Sequence, residues 1–147
     1  MKLSTKGRYG LRILMDLALN ESNDRPRMIH DIATAQKISE KYISRLVIAL
    51  RKAKMVKSIR GAKGGFKLAI PPSELTVLAI VEAMEGPLAI VDCLGSHSSC
   101  KFSGTCAPQV LWQHLNEEIR EAMRKVTLQD VLDSYRSLNA SSYEYII

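Results

Sequence analysis

IHDIATAQKISEKYISRLVIALRKAKMVKSIRGAKGGFKL, residues 29 to 68, is the stretch on which the fold turns. Its first part predicts a short helix over 31–36, with apolar Ile32 and Ala33 and a stop near Lys37 and Ile38. Ser39 stands where a helix N-cap should stand, because its hydroxyl can accept a bond from an unpaired first-turn N–H. Behind it Ile43, Leu46, Val47, Leu50 and Ala53 recur at helical spacing and define an apolar face. Lys41, Ser44, Arg45 and Lys52 fall opposite. Two helices joined by a few residues, the second polar and basic near its N-terminus, are the pattern of a helix-turn-helix.

The residues that follow extend the pattern. Residues 56–60 and 66–70 are short strand-like runs, and Gly61, Gly64 and Gly65 supply a turn between them. Arg60 and Lys63 put positive charge at its tip. A helix-turn-helix followed by a basic, glycine-tipped hairpin is a winged helix, whose wing would lie along a minor groove. A solvated helix pair with an ordinary hairpin would share these periodicities, but the charge distribution argues against it. Residues 1–70 hold 16 Lys and Arg against 5 Asp and Glu, whereas residues 71–147 hold 5 against 10. A basic half joined to an acidic half implies that only the first meets a polyanion.

Outward from this core, Ser4 should cap a first helix reaching about Leu19, with Leu11, Ile13, Leu14, Leu17 and Ala18 buried. Lys2, Lys6, Arg8 and Arg12 cluster at its start, where the macrodipole opposes cations, so an external phosphate is one expected partner and simple solubility the other reading. Pro71 and Pro72 mark a boundary. A helix over 75–84 should end at Gly86-Pro87, and 88–91 is either a strand or an extended linker. Residues 92–105 have the Ser- and Gly-rich composition of a loop that cannot bury a core unaided.

Pro108 suits the first turn of a long helix reaching Lys125. Within it Trp112, Leu115, Ile119, Ala122 and Val126 step by three, four, three and four, the seam of a short coiled coil. Packing on its own domain would give the same spacing, but intersubunit pairing is the favoured expectation. Thr127 and Asp130 form a cap box for a short last helix. The expected organisation is therefore a winged-helix DNA-binding domain (1–72), a connecting helix and strand or linker (73–91), a cysteine loop (92–106), a dimerisation helix with a short C-terminal helix (107–137) and a frayed tail (138–147). The fold class is mainly α with a small β-wing.

Three cysteines, Cys93-x6-Cys100-x5-Cys106, fall within 14 residues. The spacings are too long for the Cys-x2-Cys knuckles of common zinc sites, and thiolates this far apart can wrap a larger inorganic core. Iron–sulfur ligation, zinc and free redox-active thiols all remain open on spacing alone. Lys101 and the following helix N-terminus could offset the charge of such a centre. Arg8, Arg12 and Asp16 interrupt any export signal, and no run approaches a membrane span, so a cytoplasmic protein with no membrane partner is expected. His30, His97 and His114 have no adjacent nucleophile or acid constellation, so no enzyme is expected.

The segments KLSTKGRY (2–9), 43–56 and SIRGAKGGF (58–66), together with the three-cysteine loop and Leu111-Trp112, resemble the IscR-type family of bacterial winged-helix regulators. The resemblance covers nearly the whole chain. It implies a homodimer on palindromic promoter DNA, with the long helix crossing between subunits. It also implies an iron–sulfur cluster, of 2Fe-2S type, on Cys93, Cys100 and Cys106. DNA contacts are expected from Lys6, Arg8, Ser39, Lys41, Tyr42, Ser44, Arg45, Arg60 and Lys63. Two departures stand out. Relatives place a histidine three residues after the last cysteine, where this chain has Gln109, and others use an acid in the first helix where it has Arg8. His97 and Gln109 are the candidates for a fourth ligand. A regulator using the cysteines for zinc or thiol redox is the alternative. From another class, an iron–sulfur carrier or small redox protein would use the basic half to bind an acidic partner.

Overall fold

A computed structural model describes residues 2–22, 25–95 and 100–143. Among these residues six α-helices and one two-stranded antiparallel sheet run in the order α1 (Thr5–Leu19), α2 (Ile29–Gln36), α3 (Glu40–Lys52), β1 (Val56–Ile59), β2 (Gly65–Leu68), α4 (Val77–Glu85), α5 (Ala107–Lys125) and α6 (Leu128–Tyr143). This is the expected winged helix-turn-helix followed by a long helix.

Local chemistry sets most boundaries. The Ser4 hydroxyl accepts from the Lys6 amide at 3.1 Å and the Ser39 hydroxyl from the Tyr42 amide at 3.3 Å. Both are N-caps. Lys37 ends α2 in the left-handed region, φ 55°, and lets the Ile38 amide bond back to the Ala33 carbonyl at 3.0 Å. A lysine there meets the strain that glycine avoids, and the short α2–α3 turn needs that conformation. Thr127 and Asp130 form the cap box: Asp130 accepts from the Thr127 amide at 2.7 Å and its own amide donates to the Thr127 hydroxyl. The Thr127 backbone bond, then its hydroxyl, holds the Asp130 carboxyl below its ordinary range.

One hydrophobic core runs through the molecule. Ile13, Leu14 and Leu17 of α1 meet Ile43, Leu46, Val47 and Leu50 of α3, together with Ile80 and Met84 of α4 and Leu128 and Leu132 of α6. The boundary expected after residue 72 therefore does not separate two cores. The Leu75 carbonyl accepts from the Leu128 amide (2.7 Å), and Val77 donates its amide to the Val126 carbonyl (2.8 Å), which returns α6 to the body of the fold. Residues 88–91 form no strand. α6 also runs on to Tyr143, through residues where a frayed tail was expected, with Ser134 bonding back to the Asp130 carbonyl and Asn139 to the Tyr135 carbonyl. Residues 144–147 lie outside the described part.

Asp16 is the buried acid of this core. Arg27 holds it with two bonds, Nε to Oδ2 at 3.0 Å and Nη2 to Oδ1 at 3.1 Å. The backbone of Arg27 exchanges bonds with Phe66 at 3.0 and 2.8 Å, adding a bridge to the edge of β2. One residue thus ties the wing to α1. Gly65 must be glycine for this approach, since a Cβ there would stand 2.5 Å from the Arg27 carbonyl oxygen. Arg27→Met should strand a buried carboxylate and cost about 3–5 kcal/mol of unfolding free energy. Adding Asp16→Asn should recover part of that loss, and urea midpoints of the two variants check both outcomes.

Candidate nucleic-acid interface and cysteine loop

The outward side of α3 is mostly basic because four of its apolar residues are spent inward: Ile43, Leu46, Val47 and Leu50 are buried. Lys41 and Arg45 are exposed, Ser44 is half-buried, and Ser39 is exposed but engaged as the cap. Tyr42 is less available than its sequence position suggests. Its ring stands edge-on to Tyr9 (centroids 6.1 Å apart), and Arg12 lies 5.3 Å over Tyr9 while bonding Gln36. This aromatic stack locks α1 against α3. Sequence reading passed over Ile48, which is 54% exposed on the same outward side.

At the rear of this face, His30 of α2 shares a 2.8 Å bond with Glu40 of α3. The hydrogen bond and charge of Glu40 raise the His30 pKa above its ordinary value. A raised histidine contributes fully below its ordinary range, and the contribution fades as pH rises through the elevated value. Both groups are exposed, so the contribution is small.

The wing is β1 and β2 paired in the register Val56–Leu68 to Ile59–Gly65, with the Gly64 amide bonding the Gly61 carbonyl at 3.0 Å across the tip. Arg60 and Lys63 are exposed there. With Lys57 and Lys67 they border an open cleft of about 760 Å³ that also includes Pro26 and Ile59. Four cations around one cleft suit a polyanion.

Lys6 and Arg8 are exposed at the start of α1. The helix terminus itself is occupied from within. Glu85 Oε1 accepts from the Ser4 amide (2.9 Å), the Ser4 hydroxyl (2.9 Å) and the Gly7 amide (3.1 Å). The carboxylate stands where a phosphate was expected, so those amides need no external anion, and the side chains of Lys6 and Arg8 remain the only part of that expectation to carry forward. A pair 78 residues apart gives no local sequence signal.

The cysteines lie on the approach to α5. Cys93 is half-buried in a 3-10 turn (Asp92–Leu94), Cys100 is exposed, and half-buried Cys106 is the residue that precedes α5. None is in a disulfide. Cys93 and Gln109 border one polar cleft of about 300 Å³ with Gln113, Asn116 and Glu117. His97 lies outside the described residues. In donor chemistry the set fits a thiophilic centre: three free thiols on one segment, with Cys93 bordering a polar cleft. It is not assembled, for no three His, Cys, Asp or Glu among the described residues stand close enough to hold a metal ion. Ligation would have to draw the loop together.

α5 turns polar residues toward its own chain. Asn116 accepts from the Ile90 amide at 3.0 Å and donates to the Leu88 carbonyl at 3.3 Å, and Arg120 pairs with Glu82 of α4. Its apolar seam is left outside: Trp112 is 37% exposed, Leu115 39% and Val126 42%, with Ala122 exposed and Ile119 half-buried. No residue of α5 is buried.

No helix among the described residues is long and apolar enough to cross a membrane. The chain is 37% identical over 147 residues, all of both proteins, to the HTH-type transcriptional regulator CymR of Bacillus subtilis. The solved structure of that protein, described as the global cysteine regulator of B. subtilis, superposes with a TM-score of 0.72 at 36% identity, covering 91% of this chain and 98% of that one. IscR of T. potens superposes with a TM-score of 0.73 at 33% identity, covering 92% and 88%. Residues 3–134 match the family model of Rrf2, iron-dependent transcriptional regulator. With the winged helix, the basic outward face and the cysteine loop in place, the chain belongs to the Rrf2 family of transcriptional regulators, as the IscR-type resemblance of its sequence implies.

Proposed function

We propose that this regulator works as a homodimer whose grip on palindromic promoter DNA depends on an iron–sulfur cluster of 2Fe-2S type held by Cys93, Cys100 and Cys106. The observation that carries the reading is the placement of all three thiols on the segment leading directly into α5, with Cys106 immediately before the helix. When bound, a cluster supplies a centre whose charge and integrity change with oxidants and iron supply. Holding it would fix the loop at three points. The loop then sets the entry of α5, and α5 reaches the winged helix through Asn116, Arg120 and Glu82. Lys101 would lie near the thiolates and offset their charge. Gln109 borders the Cys93 cleft and is the described candidate for a fourth, weak ligand.

At the DNA, Lys41 and Arg45 are read as major-groove donors, since both match guanine O6 and N7, with Ser44 beside them. Arg60 is read as the wing residue that enters the minor groove, where a narrow A·T-rich tract attracts a guanidinium. Lys63, Lys6 and Arg8 are read as phosphate contacts, Ser39 as the cap that orients α3, and Tyr42 as a backbone contact limited by its packing on Tyr9. The exposed seam of α5 supports the dimer, because Trp112, Leu115 and Val126 each leave more than a third of their surface uncovered.

A second reading rests on the full-length match to CymR, the global cysteine regulator of B. subtilis. In it the cysteines act as free thiols that respond to thiol chemistry, with no cluster. Anaerobic purification separates the two. Stoichiometric iron and sulfide are expected, each of the three single Cys→Ala variants should lose the cluster, and their DNA binding should depart from that of the parent. Metal-free protein that binds DNA in a thiol-dependent way would favour the second reading.

Two further outcomes follow from the same geometry. Ile119→Asp places a carboxylate in the apolar seam and should give monomers by sedimentation, with much weaker operator binding. A variant that stays dimeric would assign the seam to its own chain. Arg60→Ala should weaken operator binding and lower the salt slope by about one. Unchanged binding across a salt series would remove the wing from the interface.

A further inference from the structure

An α-helix turns 100° per residue, so the row opposite Ile43, Leu46, Val47 and Leu50 on α3 consists of Lys41, Arg45, Ile48 and Lys52. The three cations are exposed, and Ile48 is 54% exposed among them. A β-branched aliphatic side chain is a poor choice for a solvated helix surface, where lysine, glutamate, glutamine or alanine favours the helix and the water equally well. Beside Ile48 lies a small apolar recess of about 190 Å³, lined by Ile29, Ser44, Val47, Ile48, Arg51 and Phe66. It opens where α2, α3 and β2 meet, on the flank of α3 between its buried face and its outward row.

We infer that Ile48 is a base-specificity residue: its side chain and the mouth of this recess receive the C5-methyl group of a thymine in the major groove. That methyl is the apolar mark by which thymine differs from the other bases on the major-groove edge, and it is read by apolar contact. The surrounding charge selects the occupant. An apolar protein surface laid on Ile48 would have to strip water from Lys41, Arg45, Arg51 and Lys52 with nothing to replace it. DNA offers each of them a phosphate or a base acceptor while the methyl covers Ile48. The inference rests on α3 being the helix that enters the groove. It adds to the hydrogen-bonding residues one contact that needs neither donor nor acceptor.

The test starts from the duplex that the full chain selects from a randomised library. Binding of the parent, Ile48→Ala and Arg45→Ala is measured on that duplex and on versions with each thymine replaced singly by deoxyuridine, which removes only the methyl. At least one replacement should weaken the parent about three- to fivefold, the equivalent of one buried methyl. The same replacement should leave Ile48→Ala unaffected. The proposal is overturned if the parent tolerates every replacement, or if the sensitive one weakens the parent and Ile48→Ala equally. In either of those cases a loss of binding by Arg45→Ala keeps α3 in the groove with Ile48 idle. Full affinity in both variants would take α3 out of the groove altogether.

Discussion

The backbone of α1 can approach α4 only because residues 7 and 10 carry no side chain. A Cβ on Gly7 would lie 2.4 Å from Glu85 Oε1, and one on Gly10 would lie 2.7 Å from Met84 Cγ, in the middle of a buried side chain. At that separation the Glu85 carboxylate reaches the first turn of α1 and takes up donors that the helix cannot pair itself. A carboxylate at a helix N-terminus also answers the macrodipole, which would otherwise make Lys6 and Arg8 costly neighbours. Two glycines and one acid therefore join the DNA-binding half to the helix that leads toward the cysteines.

From α4 the connection continues by hydrogen bonds. Glu82 accepts from the Leu88 amide at 2.9 Å and pairs with Arg120 of α5, and Asn116 of α5 holds the backbone at Leu88 and Ile90. The two ends of this chain of contacts differ in kind. α1 is fixed to α3 and α4 by apolar burial, whereas α5 is held to its own chain by half-buried polar groups and buries no residue fully. Elements held mainly by exposed or half-exposed polar contacts open at lower free energy than core elements. α5 is thus the part of the fold best able to shift without unfolding the winged helix, and it begins at Cys106.

Local signals made the winged helix legible from sequence. Ser4, Ser39 and the Thr127–Asp130 box announced helix starts, the α3 apolar spacing gave its buried face, and Gly61 to Gly65 gave the wing. What sequence reading missed is long-range. Asp16 looked like a polar interruption of an apolar helix, and its partner Arg27 sits in a loop; only folding brings the two together. Glu85 gave no hint that it would cap a helix at the other end of the DNA-binding half. The apolar seam of α5 was visible by period, but period alone could not say that Asn116 and Arg120 would turn the polar side inward. Nor could it return Leu128 and Leu132 to the core of residues that precede them by over a hundred positions.

The charge asymmetry of the sequence gains its meaning from how the few acids of the basic half are used. Asp16 is buried against Arg27, Glu40 is engaged by His30, and Asp31 accepts from the Met28 amide at the start of α2. These acids face inward or toward helix ends and do not line the wing cleft or the outward row of α3. Because Coulomb interactions between exposed charges fade over about 10 Å at moderate salt, net charge alone would say little about a surface. What matters is that three of the five carboxylates of this half are spent on capping and bridging within the fold. Lys41, Arg45, Lys52, Arg60 and Lys63 then present their charge on the faces that a duplex can reach. The same bonds that stabilise the winged helix thereby concentrate the positive potential where recognition needs it.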